Sequence, residues 1–361
     1  MVKTMLIVLY ERVFGMGRKN KSYRKDLHQQ AYDKLTGMQA FGESKKSAME
    51  AGTEKDKIFS YSTYQTYWKH TKYFLKWIQA EHPECTTLKA ARRHVNEWLQ
   101  NRVDQVDEKG NHLSAWTIQT EAAALNKLYQ IDAADPDRFQ PPKRNRQDIK
   151  RSRVTTVRDS HFSKTNNNEL IKFCQGTGCR RGVLEKLEGR DFWTREEMEK
   201  KVAELKNLKD LTADQKRDLA TLNDALSVFP DQDAFLEHRK DKGGRYRYSP
   251  IIGPDKDQII ERMKNTKADE KVWQHVNANA DVHGYRGTYA TWMYKHYARP
   301  IAEIPYDKVN NGTGKKYQGD VYTCRKDEAG RKLDKKAMLK CSKALGHNRI
   351  SVVADNYIRG L

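Results

Sequence analysis

The chain has 361 residues, beyond the usual single-domain size of about 100–200, so two or three domains are expected, each burying its own core. Lys and Arg number 68 against 48 Asp and Glu, and the resulting charge of +20 is spread along the sequence, which points to a polyanionic partner. Five cysteines, an odd number with no C-x-x-C pair, argue against a disulfide framework and a standard zinc site and for a reducing compartment.

The opening MVKTMLIVLYERVFGMG holds about seven consecutive apolar residues before Glu11 and Arg12, with no small-residue cleavage pattern, and no later segment approaches the ~20 apolar residues of a membrane helix. The expectation is a cytoplasmic, nucleoid-associated protein whose acidic partner is nucleic acid and not a membrane. Residues 1–55 read as a basic N-terminal arm with one helix near 22–38. Residues 56–134 read as a compact all-helical domain. Its first helix, YSTYQTYWKHTKYFLKWI, sets Tyr64, Tyr67, Trp68, Phe74 and Trp77 mostly at helical spacing, a stripe expected to face the core and not to stack on bases. Helices over 87–105 and 114–131 follow, the second opened by Ser114 as N-cap.

Residues 135–160 combine three prolines with many basic side chains and no apolar period, the character of a basic linker able to lie along phosphates. Residues 161–361 form the remaining domain. NNNELIKFCQGTGCRRGVLEKLEGRDFW reads as helix, glycine turn, helix. In 194–228, Thr194 with Glu197 and Thr212 with Gln215 are capping-box patterns ahead of spaced leucines, predicting a helical hairpin inserted on the surface. AFLEHRK-DKGG-RYRYSPII reads as a β-hairpin. Helices are expected at 256–266, 284–298, 334–345 and 350–359, with a loop-rich stretch at 300–332. The predicted fold class is mainly α with a small β-hairpin sheet (α+β).

Three stretches carry groups suited to phosphate chemistry: TGCRRGVL at 177–184, HGYRGTYATW at 283–292, and LGHNRIS with Tyr357 near the end. Together, and in this order, they resemble the tyrosine recombinases, the integrases of phages and mobile elements, whose signature is an Arg after a T-G-x turn, a hairpin Lys, an H-x-x-R pair, an L-G-H turn and a C-terminal Tyr. On that resemblance Arg180 matches the first arginine, Lys242 in DKGGRYRYSP the hairpin lysine, His283 and Arg286 the H-x-x-R pair, His347 the L-G-H histidine and Tyr357 the nucleophile. The motifs span roughly residues 155–361.

The chemistry suits those residue types. A phosphodiester gains charge on its nonbridging oxygens as it becomes pentacoordinate, and without a metal it needs fixed cations. Two arginines offer planar, permanently charged forks. A free tyrosine titrates near pH 10, so attack at neutral pH calls for neighbouring cations and a base. The resemblance implies that Lys242 protonates the leaving 5′-oxygen, that His283 is general base or proton shuttle, and that His347 donates a hydrogen bond to phosphate.

It also implies site-specific recombination of double-stranded DNA through a 3′-phosphotyrosyl intermediate. A helical core-binding domain and a catalytic domain would clamp the duplex, a homotetramer would assemble on two sites, and neither cofactor nor metal is needed. A type IB topoisomerase-like relaxase and a catalytically impaired DNA-binding accessory protein are the alternatives.

The chain departs from the family pattern in five places. Val183 stands where the family has an acidic residue three positions after the first arginine. The step from His347 to Tyr357 is one residue longer than usual, with Asn356 at the usual position. Segments 194–228 and 301–335 are expected insertions. Four residues follow Tyr357, so contact between protomers would use another element, such as an insertion, or the chain is shortened. Lys240 is the rival to Lys242, and Arg181 is either a phosphate-positioning residue or a solvated charge.

Overall fold

A computed structural model describes residues 25–144, 161–241, 245–325, 328–347, 349–358 and 360–361, without the side chains of Lys240 and Arg245. The chain divides into two compact units, Met1–Lys150 and Arg151–Leu361, and the division falls inside the basic stretch 135–160. About 53% of it is helical, with small antiparallel sheets, so the class is mainly α with minor β. Residues 1–24 of the expected N-terminal arm and 145–160 of the linker lie outside the described residues.

The first unit is built from helices α1 (Leu27–Gly37), α2 (Lys45–Glu50), α3 (Tyr61–Glu81), α4 (Leu88–Ala91), α5 (Val95–Asp104) and α6 (Ala115–Tyr129). Each of the three longest starts on a side-chain cap: Asp26 accepts from the Gln29 amide at 2.7 Å, Ser60 from Thr63 and Ser114 from Thr117, both at 3.2 Å. Apolar residues one turn apart, Leu27, Ala31 and Leu35 on α1, meet Phe74, Leu75 and Ile78 on α3, Leu99 on α5 and Leu125 and Leu128 on α6. At about 1.5–3 kcal/mol for each large side chain removed from water, this cluster dominates the unit's stability. Tyr64 and Phe74 are buried in it, and Tyr67, Trp68 and Trp77 lie partly buried against it, so the aromatic stripe faces the core. The helix expected over 87–105 is broken: a 3-10 turn at Arg92–His94 separates α4 from α5.

The second unit continues with α7 (Asn168–Thr177), α8 (Arg181–Leu184), β1 (Phe192–Thr194), α9 (Arg195–Lys206), α10 (Ala213–Val228), β2 (Ala234–Asp241), β3 (Arg245–Pro250), α11 (Lys256–Asn265) and α12 (Val282–Tyr297). After these come hairpin β4 (Lys308–Val309) with β5 (Lys316–Tyr317), pair β6 (Val321–Thr323) with β7 (Lys332–Asp334), and helices α13 (Lys335–Ala344) and α14 (Ile350–Asn356). The expected β-hairpin is the core of a three-stranded antiparallel sheet, order β1-β2-β3, with Phe192 opposite Leu236 and Phe235 opposite Pro250.

Successive strand residues serve two cores, because side chains alternate across a sheet. Phe235 joins Tyr289, Met293, Met338 and Leu345, whereas Leu236 joins Leu170, Phe173, Leu184 and Ile259.

Both capping boxes predicted in 194–228 form. The hairpin they start is not merely laid on the surface: Met198, Val202, Leu205, Leu222 and Ala225 enter the same cluster as Tyr289. The stretch 300–332 is loop-rich as expected, and the two short strand pairs in and at the end of it went unread because neither exceeds three residues per strand.

Candidate active site

Helix α7 ends at Gly178, whose left-handed backbone (φ 60°) turns the chain so that Arg180 emerges as the first residue before α8. A β-carbon at Gly178 would collide with the ring of Tyr289, so both conformation and space require glycine. The side chain of Arg180 pairs through Nη1 with Asp241 Oδ2 and directs Nη2 to the Leu345 carbonyl at 3.5 Å. Val183 packs against the apolar cluster under α8, and Glu185 lies 4.0 Å from Arg181. The carboxylate that holds Arg180 therefore comes from the hairpin.

Asp241 reaches that position through an irregularity in strand register between His238 and Asp241. Strict alternation would put these two residues on opposite faces, yet both contact the guanidinium of Arg247. Arg247 is buried, donates from Nε to the Ala344 carbonyl at 3.0 Å, and pairs through Nη1 with the Asp241 oxygen that Arg180 also uses. Burial, followed by the charge of Arg286, pulls its pKa down to about 10.

Helix α12 is capped by Asp281, whose carboxylate accepts from the Gly284 amide at 3.0 Å. The cap starts the helix before the expected position and puts His283 in its first turn, with Arg286 one turn on. Only 1% of Arg286 is exposed. Its Nη1 donates to the Gly178 carbonyl, its Nη2 to the Leu345 carbonyl, and its Nε lies 3.4 Å from the phenol oxygen of Tyr357. Burial is the main influence lowering its pKa below the ordinary arginine value.

The L-G-H turn closes α13. His347 anchors its amide on the Ser342 carbonyl at 2.8 Å, and its Nε2 stands 3.2 Å from the Tyr357 hydroxyl. The last helix is shorter than expected and stops at Asn356. The amides of Tyr357 and Ile358 both turn to the Val353 carbonyl, and Ile358 is buried in the core. Tyr357 is thus the residue that caps α14, not part of it, which absorbs the extra residue in the spacing from His347. Asn356 bonds back to Val352 at 3.1 Å and is not the residue meeting His347. The ring of Tyr357 lies 5.2 Å from that of His283 and 5.3 Å from that of His347.

Five of the six expected site residues, Arg180, His283, Arg286, His347 and Tyr357, line one open cavity of about 910 Å³. The sixth, Lys242, lies outside the described residues, as does the side chain of its rival Lys240. No protein-family model matches the chain, and no curated protein matches it.

Arg181 also lines the cavity and is not a freely solvated charge: its guanidinium meets the carbonyls of Val276, Asn277, Ala278 and Ala280 at 3.0–3.3 Å and braces the loop before α12. Sequence reading passed over Arg349, which also lines the cavity, although it follows the L-G-H histidine by two residues. It passed over Asp241 and Arg247 too; Asp241 is the acidic neighbour of the hairpin lysine, and only the strand irregularity turns it toward Arg180. The cysteines are all buried free thiols, and burial pushes Cys179, next to the Gly178 turn, up to about 11.

The cavity brings together cationic forks, two imidazoles and a phenol. That set can hold a tetrahedral or pentacoordinate phosphate and move a proton to or from the phenol oxygen.

Proposed function

We propose that the protein is a site-specific DNA recombinase, an integrase of the tyrosine recombinase kind, that cuts and rejoins DNA strands through a 3′-phosphotyrosyl intermediate. The observation that carries this reading is the hydroxyl of Tyr357, 3.2 Å from His347 Nε2 and 3.4 Å from Arg286 Nε, in the cavity that Arg180 and His283 also line.

Tyr357 Oη attacks the scissile phosphorus and its proton passes to His347, the imidazole at hydrogen-bond distance, with His283 beside it. The guanidinium of Arg180 gives one N–H to Asp241 and one to Leu345, which leaves three of its five for nonbridging oxygens. Arg286 spends three on two carbonyls and the phenol and keeps two. The P–O5′ bond breaks and the 5′-oxygen takes a proton from a cation, the part the resemblance gives to Lys242. A 5′-hydroxyl from a partner strand reverses the step, so bond energy is conserved and no nucleotide cofactor is consumed.

On this reading the first unit is the helical core-binding domain and the second the catalytic domain. Double-stranded DNA is the partner, a homotetramer forms on two sites, and the reaction takes place in the cytoplasm at the nucleoid. The charge of +20 supports a polyanion. Among the described residues no helix is long and apolar enough to cross a membrane.

The test is a duplex drawn from DNA flanking the coding region, nicked near the cleavage point so that the cut strand is lost. The wild-type chain should become covalently attached and Tyr357→Phe should not. Absence of any adduct on such DNA favours the accessory protein. Relaxation of plasmids without a cognate site and without strand exchange favours the topoisomerase. Binding should also weaken steeply with salt, because phosphate contacts release counterions.

A further inference from the structure

We propose that His82, Glu84 and His94 in the first unit form a binding site for a transition-metal dication of the zinc type. His82 caps the end of α3, Glu84 lies in the turn after it and His94 in the 3-10 turn ahead of α5, and one ligating atom from each lies within 4.8 Å of the others. The two imidazole rings are stacked, with centroids 3.6 Å apart and planes inclined by 25°, so one of them has to turn about its Cβ–Cγ bond before both in-plane lone pairs meet a single ion.

Glu97, in the first turn of α5, holds both rings: its carboxylate is 3.3 Å from His82 Nε2 and 2.8 Å from His94 Nδ1. A carboxylate only accepts, so the network assigns protons to these two nitrogens and lone pairs to His82 Nδ1 and His94 Nε2. A carboxylate behind an imidazole is the outer arrangement that orients metal-binding histidines and raises their basicity. One carboxylate here serves two.

A cation already sits against the second of these lone pairs. Arg93 donates Nε–H to His94 Nε2 at 3.0 Å, and its Nη2 stands 3.6 Å from Glu84 Oε1, the oxygen that lies 3.8 Å from His82 Nδ1. The guanidinium therefore marks a place where positive charge is favoured between an imidazole and a carboxylate. Its side chain is 64% exposed and can swing into solvent when a metal takes its place. Cys85 Sγ, 3.7 Å from both Glu84 Oε1 and Arg93 Nη2, adds a soft donor at the edge of the set.

Two imidazoles and one carboxylate suit zinc, cobalt or nickel and not magnesium or calcium, which take oxygen ligands. The bound ion would tie the end of α3 to the start of α5. Neither the site nor its test depends on the recombinase reading.

The experiment is calorimetric titration of the chelator-stripped full chain with Zn²⁺ alone, and with Mg²⁺ for comparison. One equivalent of Zn²⁺ should bind and raise the melting temperature of the first unit, whereas Mg²⁺ should not bind. His94→Ala should remove that equivalent, and Glu84→Ala, a change at an exposed carboxylate that leaves the fold intact, should weaken it. Glu97→Gln should cost about 10–100-fold in affinity. Arg93→Ala should tighten binding, because the competing guanidinium is gone. The proposal is overturned by absence of a stoichiometric site, by an equivalent that survives both His94→Ala and Glu84→Ala, or by Arg93→Ala weakening the binding.

Discussion

Arg180 and Asp241 form an ion pair across the cavity wall, and the same carboxylate oxygen receives Arg247 from the next strand. The hairpin therefore supplies the negative charge that Val183 does not. Asp241→Asn should leave DNA binding intact while slowing adduct formation by about 10²–10³, the cost of losing one preorganised group at the transition state. Both variants should also destabilise the second unit, because buried Arg247 loses its counter-charge in either, and Asp241→Ala, which removes the hydrogen-bond acceptor as well, should reach about 3–5 kcal/mol. Unchanged cleavage by both variants, in a single-turnover assay, would count against the carboxylate as the part that orients Arg180.

His347 and His283 can be ranked by the same assay. His347 Nε2 is at hydrogen-bond distance from the phenol oxygen, so His347→Gln should slow covalent capture by about 10²–10⁴, and by more than His283→Gln does. The reverse order would return the base to His283, as the family resemblance implied.

Arg286→Lys is expected to fail on two counts. A single ammonium cannot span the carbonyls of Gly178 and Leu345 while also facing Tyr357, and each buried carbonyl left bare costs about 1–3 kcal/mol. Denaturant melts should show the second unit destabilised, and adduct formation should vanish with it. A lysine variant of native stability would contradict the bracing role.

Much of this was legible in the sequence because it rests on local chemistry. Capping residues announced α6, α9 and α10, the helical spacing of aromatics announced α3, a glycine turn between two strand-like runs announced β2 and β3, and the T-G, H-x-x-R and L-G-H words picked out residues that the fold brings together from over a hundred positions apart. What stayed hidden depends on register and contact. The irregularity that turns Asp241 inward leaves no mark on composition. The early end of α14 follows from burial of Ile358, a tertiary event. The stacked pair His82 and His94 stands at no standard metal-ligand spacing, and it is the broken helix between α4 and α5 that sets the second ring over the first.

The second unit should also lose stability in mild acid. His238 is fully buried, with Nε2 2.6 Å from Ser249 Oγ and Nδ1 facing a guanidinium nitrogen of Arg247 at 3.1 Å. Burial, then the charges of Arg247, Arg286 and Arg180, hold its pKa well below the usual value of 6.5. The unfolded chain takes up a proton near pH 6.5 and the folded one does not. The stabilisation is therefore complete above that pH and falls below it, by up to about 1.4 kcal/mol per pH unit. Urea melts between about pH 7.5 and about pH 5.5 should show this fall, and His238→Gln should flatten it. An identical slope in the variant would place the titrating group elsewhere.

One residue with no part in proton or phosphate chemistry stands beneath the whole arrangement. The ring of Tyr289 fills the space under Gly178, and its hydroxyl donates to the Pro250 carbonyl at 2.8 Å, at the end of the strand that carries Arg247. Helix α12 thereby grips two cationic segments through a single aromatic side chain, and close packing moves them as one block. In a survey of random substitutions, positions 178 and 289 would be as intolerant as the charged ones. Their tolerance would follow side-chain volume and shape instead of charge, the signature of a jig that sets spacing and not of a group that reacts.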